Sequence, residues 1–336
     1  MQYTTRTAGA IVALALLALP AAAQDSCQAV PPNGARILFA GHSFFIPISR
    51  EFDEFVLTGI DDTLGRHITA MAPYGGGSGS PASLWDNTDG SYDEVVSYLE
   101  QRPDVFGMTL FREPDTGLVG HATVDDYVLW FDLARTYRQD MQFFVAMPWP
   151  THAHEVGPVV MAEQNLAFEQ EILEVIGVLR QMYPDNRIDF YNHGITSVKM
   201  YEMYEAGELP DITCLIPEEC GPDGSPLFTD SGLGHASPMM RELCSVGWLD
   251  VLYGIPYTDV AVEGYLSDTD AILAHTAAHN GQLPRPPQDW DRDGACTFFD
   301  VIEYLRDFDA ADPTADVTID GVYDAADVEL VVEVGS

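Results

Sequence analysis

Residues 36–45 read RILFAGHSFF. The first six, RILFAG, are apolar on both faces of an extended chain, which is how a strand buried inside a parallel sheet reads. Gly-His-Ser then breaks the run, and a helical pattern follows from residue 47. A serine at the turn between such a strand and its helix stands at the carboxyl edge of the sheet, where α/β folds keep their ligand crevice.

Working outward, the same alternation recurs four times. HITAMAPY (67–74), DVFGMTL (104–110), QFFVAMP (142–148) and RIDFYN (187–192) are further short apolar runs, and helical patterns cover 47–59, 91–101, 123–138, 160–183, 195–206 and 237–253. Five βα units predict an α/β fold, a doubly wound three-layer sandwich around a parallel sheet. After Gly254 the periodicity weakens, and GQLPRPPQ (281–288) is a stiff proline-rich stretch that reads as a linker. The expected organisation is a signal peptide over 1–23, a catalytic-size domain over 33–280, the linker over 281–288, and a small all-α unit over 289–334.

The leader MQYTTRTAGAIVALALLALPAAA has one cation at Arg6, an apolar run, and small residues at Ala21 and Ala23 suited to cleavage. Export to the periplasm or the medium is the expectation. No later run approaches the ~20 apolar residues that a membrane-spanning helix needs. Export permits disulfides, but five cysteines in 336 residues are too few for a disulfide scaffold. Cys214 and Cys220, which bracket LIPEE, are the expected pair.

Charge excludes whole classes of partner. Fifteen cations, of which Lys199 is the one lysine, face 53 acids, for a formal net charge of −38. Nucleic acid and anionic membranes are thereby disfavoured. A carboxylate-rich surface at this density suits saline surroundings, where salt screens self-repulsion.

Two stretches in the tail match each other at a 27-residue offset: DWDRDGACTFFDVIEYL from Asp289 and DVTIDGVYDAADVELVV from Asp316. By loop position the first places Asp289, Asp291, Asp293, Gly294, Thr297 and Asp300 at 1, 3, 5, 6, 9 and 12. The second places Asp316, Thr318, Asp320, Gly321, Asp324 and Asp327 there. Backbone carbonyls of Ala295 and Val322 fall at position 7. Alternating oxygen donors, a glycine at the sharp turn and an acid at 12 are what Ca²⁺ requires of a loop, so two Ca²⁺ ions are expected. Aspartate at position 12 and a single helix after each loop resemble the dockerin type I repeat. That resemblance implies docking onto a cohesin-like module or a cell surface. Val301, Tyr304, Leu305, Val328 and Leu330 suit either that interface or packing within the unit.

Before the last helix of the larger unit, LFTDSGLGHASPMM puts Asp230 and His235 on one short loop. With Ser43 after the first strand, the order Ser, Asp, His resembles the SGNH (GDSL-like) hydrolase superfamily over roughly 35–254. The resemblance implies Ser43 as nucleophile, His235 as general base and Asp230 as the residue that orients it. An imidazole is needed because a serine hydroxyl is a weak nucleophile until its proton is taken. The run YGGGSGS (74–80) matches the superfamily's second block, making Gly77 or Gly79 a backbone donor to the oxyanion beside the Ser43 N–H. Thr109 stands where the superfamily carries an asparagine donor, and Asp230 precedes His235 by five residues instead of three.

Other polar residues compete for roles. His152 and His154 read as substrate-facing loop histidines, Trp85 and Trp149 as core or pocket aromatics, and Arg112 and Glu113 as crevice residues or a surface pair. The expected function is a secreted serine esterase acting through an acyl-serine on a small ester or an acylated carbohydrate, with no cofactor for catalysis. The alternative is a non-catalytic extracellular module that binds glycans on the same fold.

Overall fold

The computed structural model describes residues 34–58, 67–86, 90–110, 123–287, 290 and 298–334. The expected leader, Arg112, Glu113, Cys27, Cys296 and most of the first acidic loop (Asp289, Asp291, Asp293, Ala295) lie outside them.

The five apolar runs form five strands: β1 (Arg36–Gly41), β2 (Ile68–Pro73), β3 (Val105–Thr109), β4 (Gln142–Met147) and β5 (Ile188–Asn192). All pair in parallel, in the order β2-β1-β3-β4-β5. Ten α-helices lie among the described residues: α1 (Ile46–Thr58), α2 (Pro81–Trp85), α3 (Ser91–Leu99), α4 (Val124–Tyr137), α5 (Gly157–Met182), α6 (Gly194–Glu205), α7 (Pro238–Tyr253), α8 (Thr269–Asn280), α9 (Phe298–Asp309) and α10 (Ala325–Val334).

Alternation along each strand divides the interior in two. Ile37 and Phe39 of β1 face α1, α6 and α7 in one core, while Leu38 and Ala40 face α2 to α5 in the other. Both faces are therefore apolar, the condition for a three-layer α/β sandwich. Chain direction along the sheet reverses between β1 and β3. At that switch point the two following loops part and leave a crevice at the carboxyl edge.

Local chemistry fixes the helix ends that matter. Ser237 Oγ accepts the Met240 N–H and Pro238 takes the first turn of α7, whose other end stops at Gly254 in the left-handed region (φ 65°). Thr123 and Asp126 form a reciprocal cap on α4. One helix departs from expectation: α8 occupies 269–280, where the apolar periodicity of the sequence is weak. Asp268 caps it by accepting the Ala271 N–H, and its alanine-rich sequence supplies helix propensity without a strong apolar stripe.

The outer edge of β5 is covered by side chains instead of a sixth strand. Arg180, fully buried, donates to the Ile188 carbonyl and to the carbonyls of Pro284 and Arg285, and Asn280 brackets the Asn192 backbone. The proline-rich stretch is thus fastened along the sheet edge at 284–285, which a solvated spacer would not be. Beyond it, Trp290, Tyr304, Ala315, Val317, Leu330 and Val331 form a separate small core. Tyr304 and Leu330 sit in that core and Val301, Leu305 and Val328 pack against it, so these five hold the unit together. The Thr318 carbonyl comes so close to α5 at Gly177 that a Cβ there would lie 2.6 Å from it.

Candidate active site

Ser43 begins the turn from β1 into α1, and His235 lies just before α7. In a parallel sheet the covering helices run back antiparallel to the strands, so both helices begin at the carboxyl edge. Ser43 Oγ stands 2.6 Å from His235 Nε2, and His235 Nδ1 stands 2.5 Å from Asp230 Oδ2. Together they make a hydrogen-bonded relay of hydroxyl, imidazole and carboxylate.

The five-residue spacing between Asp230 and His235 is absorbed by wrapping the loop around the carboxylate. Asp230 Oδ1 accepts the backbone N–H groups of Gly232 (3.0 Å), Leu233 (2.7 Å) and Gly234 (3.3 Å), and Oδ2 accepts that of His235 (3.0 Å). Gly234 takes a positive φ of 82°, which closes the wrap. Partial burial works against the charge on Asp230. The donated N–H groups of Leu233 and His235 and the adjoining imidazole outweigh it, and hold this carboxyl well below the usual carboxylate range. An ionised partner stays opposite Nδ1, as a base that must gain a proton on Nε2 requires.

The glycine run behaves as a close-packed turn. Residues Gly76–Gly79 form one 3₁₀ turn, and a Cβ on Gly79 would sit 2.5 Å from the His42 nitrogen and 2.6 Å from the Gly41 carbonyl carbon. Gly79 therefore lies directly on the Gly41–His42 peptide, one residue ahead of Ser43. Gly77, two residues earlier in the same turn, accepts the Ser80 N–H with its carbonyl. Thr109 corrects the expectation of a side-chain oxyanion donor. It is buried, its hydroxyl donates to the Ala146 carbonyl at 2.8 Å, and its methyl group lies under Gly41. Its proton is tied into the β3–β4 pair instead of facing the crevice.

No protein-family model matches the chain, and no curated protein does. Among solved structures, the periplasmic domain of a lipopolysaccharide acetyltransferase from Salmonella ser. Paratyphi A superposes over 66% of this chain and 84% of that one. Identity is 10% and the TM-score 0.36.

Trp149, which in the sequence suits either core or pocket, is one wall of the site. A cavity of about 160 Å³ opens beside Ser43 and His235, lined by Phe44, Ile48, Trp149, Thr229 and Arg241 among others. Trp149 is buried and its indole N–H donates to the Gly234 carbonyl at 2.9 Å, so it both walls the cavity and braces the loop that carries Asp230 and His235. Trp85 belongs to the far core, edge-on to Tyr92 and Trp130. The His152 N–H donates to the Leu233 carbonyl, which fastens the histidine-bearing loop to the one holding His235. Among the described residues, no three His, Cys, Asp or Glu side chains gather to hold a metal.

Cys214 and Cys220 are joined in a disulfide, with Cα atoms 5.3 Å apart. Cys244 is a buried free thiol that burial pushes well above its usual pKa. His42, which precedes the serine, was not singled out in the sequence although a histidine ending a buried strand is a signal in itself.

Proposed function

We propose that the chain is a serine hydrolase of the esterase kind, acting on a small ester or an acylated carbohydrate through an acyl-serine intermediate. The supporting observation is the Ser43–His235–Asp230 relay, with both links at hydrogen-bond length. Ser43 Oγ bonds to the ester carbonyl carbon as its proton passes to His235 Nε2. Negative charge on the carbonyl oxygen is met by the backbone N–H of Ser43, at the start of the turn into α1, and that of Gly79, in the 3₁₀ turn packed on His42. Collapse of the adduct breaks the bond to the alkoxide, which leaves with the proton from His235. Water then repeats the sequence against acyl-Ser43 and frees the acid. The cavity beside His235 seats one substituent of the ester next to the group that protonates the leaving oxygen.

The test is turnover of p-nitrophenyl acetate together with labelling by a fluorophosphonate. Wild type should turn over and be labelled on Ser43, and Ser43→Ala should do neither. Equal rates for the two proteins would remove the assignment.

We also infer that the tail holds Ca²⁺ in the loops from Asp289 and Asp316. In the second loop Asp316 and Asp327 are buried, and the Thr318 hydroxyl lies 2.9 Å from Asp327 Oδ1 and 3.5 Å from Asp316 Oδ1. Two buried carboxylates around one hydroxyl have no cationic side chain paired with them among the described residues, and a hard divalent cation would supply the counter-charge. Asp320 and Asp324 stand at the exposed rim, where each accepts a loop N–H.

A further inference from the structure

A side chain outside the relay controls which backbone groups the nucleophile turn leaves free. His42 is 1% exposed and is joined to its surroundings at every polar atom that the turn offers. Its Nε2 lies 2.8 Å from the Leu110 carbonyl, and since a carbonyl can only accept, Nε2 carries the proton. Nδ1 is then the acceptor, and it receives the Phe44 N–H at 3.2 Å. The His42 carbonyl receives the next two, Phe45 N–H at 3.0 Å and Ile46 N–H at 2.9 Å. Three successive N–H groups after the serine are thereby directed at His42. The Ser43 N–H has no acceptor among the described residues.

This residue also forms the bed for the second candidate donor. A Cβ on Gly79 would meet the His42 nitrogen at 2.5 Å and its Cβ at 2.6 Å, so the glycine turn rests on His42 itself. Phe44, whose N–H the imidazole holds, packs its ring 4.8 Å from that of His235. His42 thus touches the frame of the nucleophile through its imidazole, the Gly79 turn through its backbone nitrogen and Cβ, and the base by way of Phe44, while its Nε2–H anchors the assembly to the end of β3.

We propose that His42 is a positioning residue of this site: by taking the Phe44 N–H on Nδ1 it holds the turn in the one arrangement that leaves the Ser43 N–H to a developing oxyanion. The inference rests on the serine-hydrolase reading. A group of this kind acts on the transition state and not on ground-state binding, because charge on the carbonyl oxygen appears only as the adduct forms.

Steady-state kinetics of p-nitrophenyl acetate on full-length His42→Asn, His42→Gln and His42→Leu test it, with melting curves alongside. Asparagine can place Oδ1 where Nδ1 stands and keeps the Phe44 bond. Glutamine can reach Leu110 but gives up that acceptor position, and leucine gives up both. The expected order is wild type and Asn close together, with Gln and Leu lower in kcat by on the order of 10²-fold, the loss seen when one oxyanion donor is removed, and KM within about threefold. If the leucine variant does not fold, the comparison of Asn with Gln carries the test unaided. Folded Gln with kcat near wild type, Asn as impaired as Gln, or losses confined to KM would each overturn the proposal. Absence of fluorophosphonate labelling in wild type would instead overturn the serine-hydrolase reading, so the two failures are distinguishable.

Discussion

Ser43 and His235 lie 192 positions apart in the chain and 2.6 Å apart in space because the helices they precede, α1 and α7, pack side by side on one face of the sheet. Both helices start at the carboxyl edge, so two N-terminal ends with their positive dipole ends converge on one spot. A chain that places a hydroxyl at one and an imidazole at the other has the parts of a nucleophile and its base without any further device.

The Asp230 carboxylate has two separable duties, and substitutions should divide them. Asn keeps an oxygen for the N–H groups of Gly232, Leu233 and Gly234 but removes the charge opposite Nδ1. Asp230→Asn should fold with a melting temperature near wild type and lose kcat by roughly 10³ to 10⁴-fold, as when a triad imidazole loses its orienting charge. Asp230→Ala leaves four N–H groups without their acceptor and should in addition destabilise the loop by about 2 kcal/mol. Equal melting curves for the two variants would show that the wrap does not depend on the carboxylate.

Glycines in one short run should respond oppositely to a methyl group. At Gly79 a Cβ meets backbone atoms of Gly41 and His42 at 2.5–2.6 Å, whereas at Gly75 nothing lies within 4 Å. Backbone cannot swing aside as a flexible side chain can, so Gly79→Ala should cost about 3 kcal/mol and abolish ester turnover. Gly75→Ala should fall within about 0.5 kcal/mol of wild type. Urea melts of the pair decide it, and a tolerated alanine at 79 would contradict the close approach.

The sheet was legible because it rests on short-range patterns, whereas Ser43, Asp230 and His235 were drawn together only by the resemblance of their chain order to that of a known superfamily. RILFAG and QFFVAM are continuous apolar runs because a central parallel strand is covered on both sides, and the strand they predict is the strand found. What escaped was set by contacts remote in sequence. Thr109 looks like an asparagine substitute until β4 offers it the Ala146 carbonyl, and nothing near residue 109 announces that acceptor. The proline-rich stretch reads as a free spacer because its partner, Arg180, is a hundred residues away. His42 lies next to the serine in plain view, yet its importance depends on Leu110 and Gly79, which only the fold brings to it.

Three buried histidines should make the protein lose stability well above the carboxylate range. Burial pushes His42 and His67 down to about 4 and His193 down to about 3. Their folded values lie below the unfolded value near 6.5, so the unfolded chain takes up protons first. Their neutral-state contribution is complete above pH 6.5 and is lost as pH falls from 6.5 towards 4, by about 1.4 kcal/mol per pH unit for each group fully in that window. Urea midpoints should therefore drop between pH 7 and 5. A flat profile over that range would mean that these imidazoles titrate normally.

Calcium should raise the melting temperature of the full-length protein, and EDTA should lower it, because a cation bound by the folded chain and not by the unfolded one adds directly to folding. Calorimetry should give two ions per chain, falling to one in Asp293→Ala and, through the other loop, to one in Asp327→Ala. The Thr318 carbonyl and Ile319 pack on the sheet unit at Gly177 and its neighbouring core, so a loosened second loop should also be felt as weaker protection of α5 in hydrogen exchange. A melting temperature indifferent to EDTA would leave the tail folded without metal.

Salt should stabilise the protein over a range where most proteins respond little. The net charge of −38 is spread along the whole chain, with 14 acids against 3 bases from Arg285 onward and the remaining excess before it. Like charges on one face repel across distances that a Debye length of about 10 Å at 0.1 M leaves exposed and one of about 3 Å at 1 M does not. Removing the acidic tail to simplify the measurement would itself destabilise the rest, since Arg180 would lose the carbonyls of Pro284 and Arg285 while remaining buried. The measurement therefore belongs on the full chain with Ca²⁺ held at saturation, so that salt cannot act by stripping the loops. The melting temperature should climb steadily from 0.1 to 1 M NaCl, and the climb should shrink at pH 4, where protonation has already removed part of the repulsion. A flat or falling curve at neutral pH would reduce the acidity to a means of staying soluble and remove the link to saline surroundings.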